Sequence, residues 1–205
     1  MKAEIMQPRQ KRLIVGISGA SGVVYGVRLL EALKDSGIQT HLVMSKAAKI
    51  TLAAETSYKV SDVERLATVV HSNDDVGAAC ASGSFHTLGM VIAPCSVKTM
   101  SEVATGVTGH LISRAADVAL KERRRVVLLL RETPLHLGHI RSMAAVTEAG
   151  GIVFPPVPAF YARPASIEEM VDHTIGRVLD LFDIDAGLVR RWTGERSRAK
   201  IKEGE

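Results

Sequence analysis

The sequence LIVGISGASGVVYGVRLL, residues 13–30, joins an apolar run, a glycine-rich turn and a helical pattern. The run at 13–17 is typical of a buried parallel strand. After the turn at 18–22, apolar residues recur at helical spacing, and Gly37 marks the end of the helix. A strand, a glycine-rich turn and a helix together aim backbone N–H groups and the positive end of a helix dipole at a phosphate. The stretch therefore predicts a βα unit suited to a phosphorylated ligand.

The spacing of the glycines narrows the class of ligand. The turn matches neither the dinucleotide fingerprint G-x-G-x-x-G nor a Walker loop that ends in Lys-Ser/Thr. The next strand, predicted at 39–44, is followed by Ser45 and Lys46, where a nicotinamide-binding protein usually has an acidic residue for the ribose diol. A mononucleotide phosphate thus fits better than NAD, and a tight βα turn with no ligand is the alternative.

The composition is that of a globular chain of 205 residues, of which 46% are apolar. No run of about 18 apolar residues predicts a membrane span, and no signal-peptide core follows the basic residues near the N-terminus. The two cysteines, Cys80 and Cys95, are too few for a disulfide framework and indicate a reducing compartment. We therefore expect a cytoplasmic protein with a flexible leader at 1–11.

The net charge is +4, and much of the excess lies in basic residues close to the C-terminus. Nucleic-acid-binding surfaces interleave basic with aromatic side chains, whereas aromatic residues make up only 4% of this chain. The charge therefore favours a solvated tail and anionic small ligands over nucleic acid.

Predicted strands alternate with predicted helices along most of the chain. This alternation predicts an α/β fold: a doubly wound parallel sheet, Rossmann-like or flavodoxin-like, with helices on both faces. The predicted strands are 13–17, 39–44, 69–71, 88–93, 126–130 and 152–154, and predicted helices include 46–55, 61–67, 111–124 and 166–182. Ligands bind outside the carboxyl ends of such strands. The loops expected at that edge are 18–22, 44–46, 94–99, 131–139 and 155–163.

Polar residues in these loops are candidates for ligand contacts. Ser96, Lys98 and Thr99 stand at a predicted helix start, where they can hold a ligand or simply cap the helix. Arg131 follows a buried strand, and its guanidinium suits an anion. Glu132 beside it can serve as an acid or base, or as a salt-bridge partner. By spacing alone, four other residues look like ordinary surface or packing residues: Glu55, Lys121, Tyr161 and Arg177.

The residue spacing supports neither a catalytic cysteine nor a metal site. Cys95 has no neighbouring histidine to activate it, and it reads as a small buried side chain. His136 and His139 lie three apart, but no third ligand accompanies them, so no metal site is predicted.

Seven segments resemble the flavin prenyltransferases, the UbiX-type FMN-binding family. The likeness runs from about residue 13 to Trp192, and the blocks at 131–139 and 155–164 are its most specific part. PCSVKT differs from the PASANT-like sequence of the related cysteine decarboxylases. The segments are GISGASGVVYGVRLL (16–30), SKAA (45–48), ASGS (81–84), PCSVKTMS (94–101), RAADVALKERR (114–124), RETPLHLGH (131–139) and PPVPAFYARP (155–164).

The resemblance implies a set of site residues. The residues that would hold FMN are Gly19, Ala20, Ser21, Ser45, Ser96, Val97, Lys98, Thr99 and Arg131. The residues that would hold the phosphate of dimethylallyl monophosphate, across a subunit boundary, are Lys121, Tyr161 and Arg177, while Trp192 would close the site. Proton transfers would fall to Ser21, Glu55 and Glu132.

The resemblance also implies a reaction and an assembly. Members of the family join a five-carbon prenyl group to N5 and C6 of reduced FMN without a metal. The product, prenylated FMN, is the cofactor of UbiD-type decarboxylases, including those of ubiquinone biosynthesis. We accordingly expect a homododecamer, with one FMN-binding prenyltransferase domain at 12–186 and a C-terminal tail at 187–205 that closes over the site.

Two alternatives stay open: an FMN-dependent cysteine-type decarboxylase of the same fold, and a non-catalytic flavin carrier. Residues 76–80 lack the aromatic residue that some relatives have before the ASGS segment, so the choice between prenyl monophosphate and diphosphate also stays open. Which decarboxylase receives the product is equally open.

Overall fold

Six parallel strands form one sheet in the computed structural model, which describes residues 10–192. The strands are β1 (Arg12–Ile17), β2 (Gln39–Met44), β3 (Val69–Ser72), β4 (Gly89–Cys95), β5 (Arg125–Leu130) and β6 (Ile152–Val153). Their order is β3-β2-β1-β4-β5-β6. The sheet therefore changes winding direction between β1 and β4, and this is where a doubly wound sheet binds its ligand.

Six helices connect these strands: α1 (Val24–Leu33), α2 (Lys46–Glu55), α3 (Val60–Glu64), α4 (Val97–Thr105), α5 (Leu111–Lys121) and α6 (Leu137–Glu148). Ile17 of β1 packs on Gly26 of α1, whereas the neighbouring Gly16 faces Ile112 of α5. Because successive strand residues point to opposite faces, α1 and α5 cover opposite faces of the sheet. The predicted doubly wound α/β fold is confirmed.

The core lies in the central strands. All seven residues of β4 are buried, as are five of the six in β5. Continuous burial on both faces explains why these strands read as unbroken apolar runs in the sequence.

Most predicted element bounds agree with the structure, with corrections at two helices. Helix α3 runs over Val60–Glu64 instead of 61–67. It begins at Val60 because the Asp62 carboxylate accepts the backbone N–H of Lys59 at 2.8 Å and makes Lys59 the N-cap. Helix α5 ends at Lys121, three residues before the predicted end, because Arg123 adopts a left-handed backbone with φ of 57°.

The chain divides at Pro156 into two compact units, and the second unit is built around α7 (Ile167–Asp180). The residues after α7 return along it, since a Cβ on Gly176 would stand 2.5 Å from the Val189 side chain. Arg191 forms a two-pronged ion pair with Asp180, with N–O distances of 2.9 and 3.1 Å.

The predicted leader at 1–11 and tail at 187–205 lie largely outside the described residues, and the boundaries at 12 and 186 stay predictions. Across residues 10–192, no helix has the length and apolar character that a bilayer span requires.

Candidate functional site

A cavity of about 490 Å³ opens at the carboxyl ends of the strands of the first unit. Its volume lies within the usual range for small-molecule and cofactor sites. Four of the five predicted loops contribute to it, and the fifth, 155–163, belongs mostly to the second unit. The lining residues are Gly19, Ala20, Ser21, Ser45, Lys46, Ala47, Asn73, Asp74, Ser96, Val97, Lys98, Thr99, Glu102, His110, Ile112, Arg131 and Glu132.

Ser18 ties the glycine-rich turn to the loop that follows β4. Its buried hydroxyl donates to the Pro94 carbonyl at 3.0 Å and accepts the backbone N–H of Ser96 at 2.8 Å. Gly19 then passes so close to α2 that an added Cβ would stand 2.3 Å from the Ala47 Cβ. The absence of a side chain at Gly19 therefore lets the turn lie directly against the first residues of α2.

Two helix N-termini open onto the cavity. Ser45 caps α2 by accepting the N–H of Ala48 at 3.0 Å, and Ser96 caps α4 by accepting the N–H of Thr99 at 3.3 Å. Both serines also line the cavity, so their capping role leaves them in position to contact a ligand. The aligned backbone dipoles place partial positive charge at this edge of the sheet, where an anion is stabilised.

Ion pairs neutralise both lysines of the cavity. Lys98 Nζ lies 2.6 Å from Glu102 Oε1, and Lys46 Nζ lies 3.1 Å from Asp74 Oδ2. Arg131, in contrast, has no carboxylate within salt-bridge distance among residues 10–192, and it is exposed to the cavity. Arg131 is thus the side chain best placed to meet an anionic ligand.

Glu55 supports the turn from outside the cavity. Its Oε2 accepts the backbone N–H groups of Gly22 and Val23 at 2.8 and 3.1 Å. Partial burial opposes ionisation, but hydrogen bonds from Ser21, Gly22 and Val23 and the charge of Arg131 lower the pKa of Glu55. Glu55 is exposed, as its spacing predicts, and it also has a specific role as the hydrogen-bond acceptor of this turn.

Several lining residues were not identified from the sequence. Asn73 follows β3 and caps α5 from a distance, because its carbonyl and its Oδ1 accept the N–H groups of Leu111 and Ile112 at 2.8 and 3.2 Å. Asp74 beside it lies 3.6 Å from His110 Nδ1. The sequence signal for Asn73 and Asp74 was their position directly after β3, because the loop after this strand lies at the same sheet edge as the loops after the other strands. Glu102 and Ile112 carried no comparable signal.

Lys121 lies at the far end of α5 and does not line the cavity. It pairs with Glu122, and both side chains face Gly83 of the ASGS segment. Arg124 donates to the carbonyls of Gly83 and Phe85 at 2.7 and 2.6 Å, so the segment is held against the end of α5. The substrate role of Lys121 stays a prediction.

The second unit brings two of its three predicted substrate residues into contact. The rings of Tyr161 and Trp192 meet edge-on, with centroids 5.9 Å apart. Arg177 is on α7, one turn beyond His173, whose ring also meets Tyr161 edge-on at 5.7 Å. Sequence reasoning missed His173, because helical periodicity places it off the apolar face formed by Val171, Ile175 and Val178.

The thiol of Cys95 is fully buried, as predicted, and burial raises its pKa far above the ordinary value. His136 and His139 stack on each other with ring centroids 3.6 Å apart. Within the described part of the chain, no three His, Cys, Asp or Glu side chains converge in a metal-binding arrangement.

The residues of the cavity fit a flavin mononucleotide. A phosphate can be met by two capped helix N-termini and by serine and threonine hydroxyls, while Arg131 offers a fork of donors for a further anionic or carbonyl group. Because Gly19 has no side chain, its backbone forms the wall of the cavity where it meets Ala47.

Comparison with known proteins agrees with this fit. The flavoprotein family profile matches residues 2–186. The flavin prenyltransferase UbiX of Thauera aromatica is 56% identical over 191 residues, which cover 93% of this chain and 98% of the relative. The crystal structure of AnUbiX (PadA1) in complex with FMN and dimethylallyl pyrophosphate superposes with a TM-score of 0.89 at 50% identity, covering 91% of this chain and 99% of that one.

A second solved structure is also similar over nearly the whole chain. The dodecameric FMN-dependent UbiX-like decarboxylase of Escherichia coli O157:H7 superposes with a TM-score of 0.87 at 46% identity, covering 89% of this chain and 100% of that one. These identities and coverages are high enough to show the family. The chain belongs to the flavoprotein family and, within it, to the UbiX-type flavin prenyltransferases.

Proposed function

We propose that this protein joins the dimethylallyl group of dimethylallyl monophosphate to N5 and C6 of reduced FMN, without a metal, and releases prenylated FMN. The observation that carries the proposal is the cavity at the sheet edge, where two capped helix N-termini and Arg131 converge. A relative at 50% identity has been solved with FMN and dimethylallyl pyrophosphate, which supports a flavin and a dimethylallyl phosphate compound as the ligands here.

The flavin-binding part of the site is formed by the loops of the first unit. Ser45, Ser96 and Thr99 present hydroxyls and helix N-termini to the ribityl phosphate, and Arg131 adds positive charge. Lys98, which is paired with Glu102, stays assigned to the FMN site as a hydrogen-bond donor. Glu55 fixes the Ser21 turn through the N–H groups of Gly22 and Val23. Reduced FMN, when bound, supplies the electron-rich ring that receives the prenyl group.

The chemical step requires a leaving phosphate and proton transfers. Cleavage of an allylic C–O bond places negative charge on the phosphate, and fixed cationic and hydroxyl donors stabilise that charge. We assign this task to Lys121, Tyr161 and Arg177, with Trp192 closing the site. Glu132 and Ser21 line the cavity beside the cofactor residues and are assigned the proton transfers, with Glu55.

We further propose that these substrate residues meet the cofactor residues of neighbouring subunits in a homododecamer. The dodecameric relative supports this assembly. Leu135, Leu137 and Ile140 are 39%, 59% and 52% exposed in the single chain, which supports a surface that other subunits cover.

Prenylated FMN would be delivered to a UbiD-type decarboxylase, and the C-terminal tail would close over the site. The cytoplasmic location is supported by Cys80 and Cys95, which are both free thiols as expected in a reducing compartment. Fractionation of cells that express the protein tests the location directly.

The decisive experiment is an anaerobic incubation of the protein with reduced FMN and dimethylallyl monophosphate, with the diphosphate in a parallel reaction. Mass spectrometry of the released flavin should show a gain of one five-carbon unit that is absent without protein. Release of carbon dioxide from a C-terminal cysteine peptide, with unmodified flavin, would instead establish the decarboxylase. Tight FMN binding with neither reaction would establish the carrier.

A further inference from the structure

A buried histidine contacts the exposed tyrosine of the second unit. His173 is on α7 and is 9% exposed, whereas Tyr161 is on the 3-10 turn Phe160–Ala162 and is 53% exposed. Tyr161 Oη lies 3.4 Å from His173 Nε2, and the two rings meet at an interplanar angle of 82°. Neither the sequence motifs nor the proposed mechanism gives His173 a task.

We propose that His173 is a positioning residue for Tyr161: its Nε2–H donates to Tyr161 Oη, so that the Tyr161 hydroxyl is free to donate a hydrogen bond to the phosphate of the prenyl substrate. This inference rests on the proposed function, from which Tyr161 takes its phosphate-binding role. In that function, His173 would affect the substrate only through Tyr161.

The direction of the hydrogen bond follows from the number of protons available. A tyrosine hydroxyl has one proton, and phosphate oxygens only accept. If Tyr161 donated to the imidazole, it would have no proton left for the substrate. In the tautomer of His173 that carries its proton on Nε2, the imidazole donates to Tyr161 Oη. The hydroxyl proton of Tyr161 is then free and points away from α7.

The surroundings of the imidazole favour this neutral form. Burial lowers the pKa of His173, the charge of Arg177 lowers it further, and Asp180 opposes them. The other charged groups at a small cavity beside the ring are Glu169, Asp172 and Arg190. At neutral pH the imidazole is therefore neutral and carries one N–H. When that N–H is on Nε2, it donates to Tyr161 Oη and leaves the Tyr161 hydroxyl proton available for the substrate.

The tyrosine is held on its other side by the C-terminal segment. Arg190 Nη1 donates to the carbonyl of Ala162 at 2.9 Å and fixes the turn that carries Tyr161. Trp192 meets the Tyr161 ring edge-on at an interplanar angle of 79°. Removing the imidazole would leave the backbone of the turn in place while removing the polar contact that sets the hydroxyl direction.

The first test is steady-state kinetics of the FMN-loaded protein with dimethylallyl monophosphate. His173→Ala should raise the KM about two- to tenfold, the effect of losing one hydrogen bond, and should leave kcat and FMN affinity within about twofold. His173→Gln, whose side-chain amide can still donate, should restore most of the loss. Thr174→Val is the matched control, because the Thr174 hydroxyl bonds to the Met170 carbonyl on the same helix.

The second test does not depend on turnover. Trp192 is the only tryptophan in the chain, so its emission reports on the ring that it contacts. Titration with inorganic phosphate should change this emission, with an affinity that falls about two- to tenfold in His173→Ala and returns in His173→Gln.

The outcomes separate the two proposals. Normal turnover with a KM and a phosphate affinity that do not depend on residue 173 would overturn the positioning role alone. A phosphate affinity that depends on His173, in a protein that prenylates no flavin, would overturn the proposed function and uphold the contact. An equal KM rise in Thr174→Val would show a general effect of the helix and would also overturn the positioning role.

Discussion

Glu55, the last residue of α2, accepts the backbone N–H of Gly22 at 2.8 Å across 33 positions of sequence. The same carboxylate oxygen accepts the N–H of Val23 at 3.1 Å. Helix α1 has no side-chain cap of its own, so Glu55 supplies one from another helix. The glycine-rich turn is therefore held in shape by a residue outside the cavity that it lines.

Glu55→Gln should weaken FMN binding about tenfold. Hydrogen bonds to a charged group contribute about 1.5–3 kcal/mol, and the amide keeps the shape of the side chain while losing the charge. Titration of flavin-free protein with FMN measures the change, and Glu64→Gln on α3, whose ion pair with Lys49 is at 3.7 Å, is the control. An FMN affinity equal to that of the wild type would show that the turn needs no carboxylate.

Local patterns predicted the frame of the site. Apolar runs predicted the strands. Ser45 and Ser96 could be predicted as caps because an N-cap is adjacent in sequence to its helix. The ends of parallel strands meet at one edge, so the loops after β1, β2, β4 and β5 could be assigned to a common site.

Contacts between distant residues could not be read in this way. Helical spacing shows that Glu55 is off the apolar face, but only the packed fold shows that it faces Gly22. Likewise, Asn73 caps a helix 38 positions later, and nothing next to it in the sequence marks that role. The contact of Tyr161 with His173 depends on how a turn lies against α7, which no periodicity encodes.

Gly19→Ala should disrupt the cofactor site. The new Cβ would stand 2.3 Å from the Ala47 Cβ, and neither group can swing away because both are fixed to backbone. We expect FMN affinity to fall at least about tenfold, since the turn and helix α2 must separate to relieve a clash that large. Gly109→Ala is the control, because a Cβ there meets nothing within 4 Å. Equal FMN affinity in both variants would contradict the close approach of the turn to α2.

His41 should make the protein less stable in mild acid. This buried residue of β2 has Nδ1 2.9 Å from His71 Nε2, and burial, His71 and Arg12 lower its pKa to about 4. The unfolded chain, with a pKa of about 6.5, binds more protons between these values, so stability is full above about pH 6.5 and falls toward pH 4.

Urea unfolding at about pH 7.5 and pH 5 measures this loss. His41→Leu removes the titrating group while keeping an apolar side chain in the core, so its stability should differ less between the two pH values. A pH difference as large as that of the wild type would show that other groups, and not His41, control acid stability.

Arg177→Ala should mainly weaken prenyl phosphate binding. Asp180 is already engaged by Arg191 at 2.9 and 3.1 Å, whereas Arg177 lies 3.7 Å from it, so the guanidinium of Arg177 is only loosely held and can turn to a phosphate. We expect the KM for dimethylallyl monophosphate to rise about tenfold or more. Arg65→Ala, which removes a surface arginine paired with Asp62, is the control. An unchanged KM would remove Arg177 from the substrate site.

Glu132→Gln should leave FMN bound and slow the reaction. The carboxylate lines the cavity beside Arg131, and its Oε1 accepts the N–H of Thr133 at 3.0 Å, a bond that the glutamine oxygen can keep. The side chain therefore retains its position but cannot exchange a proton. General acid–base groups contribute about a hundredfold or more, so kcat should fall by that factor with FMN affinity within about twofold. Glu148→Gln at the end of α6 should behave as wild type, and normal turnover in Glu132→Gln would assign the proton transfers to Ser21 and Glu55 instead.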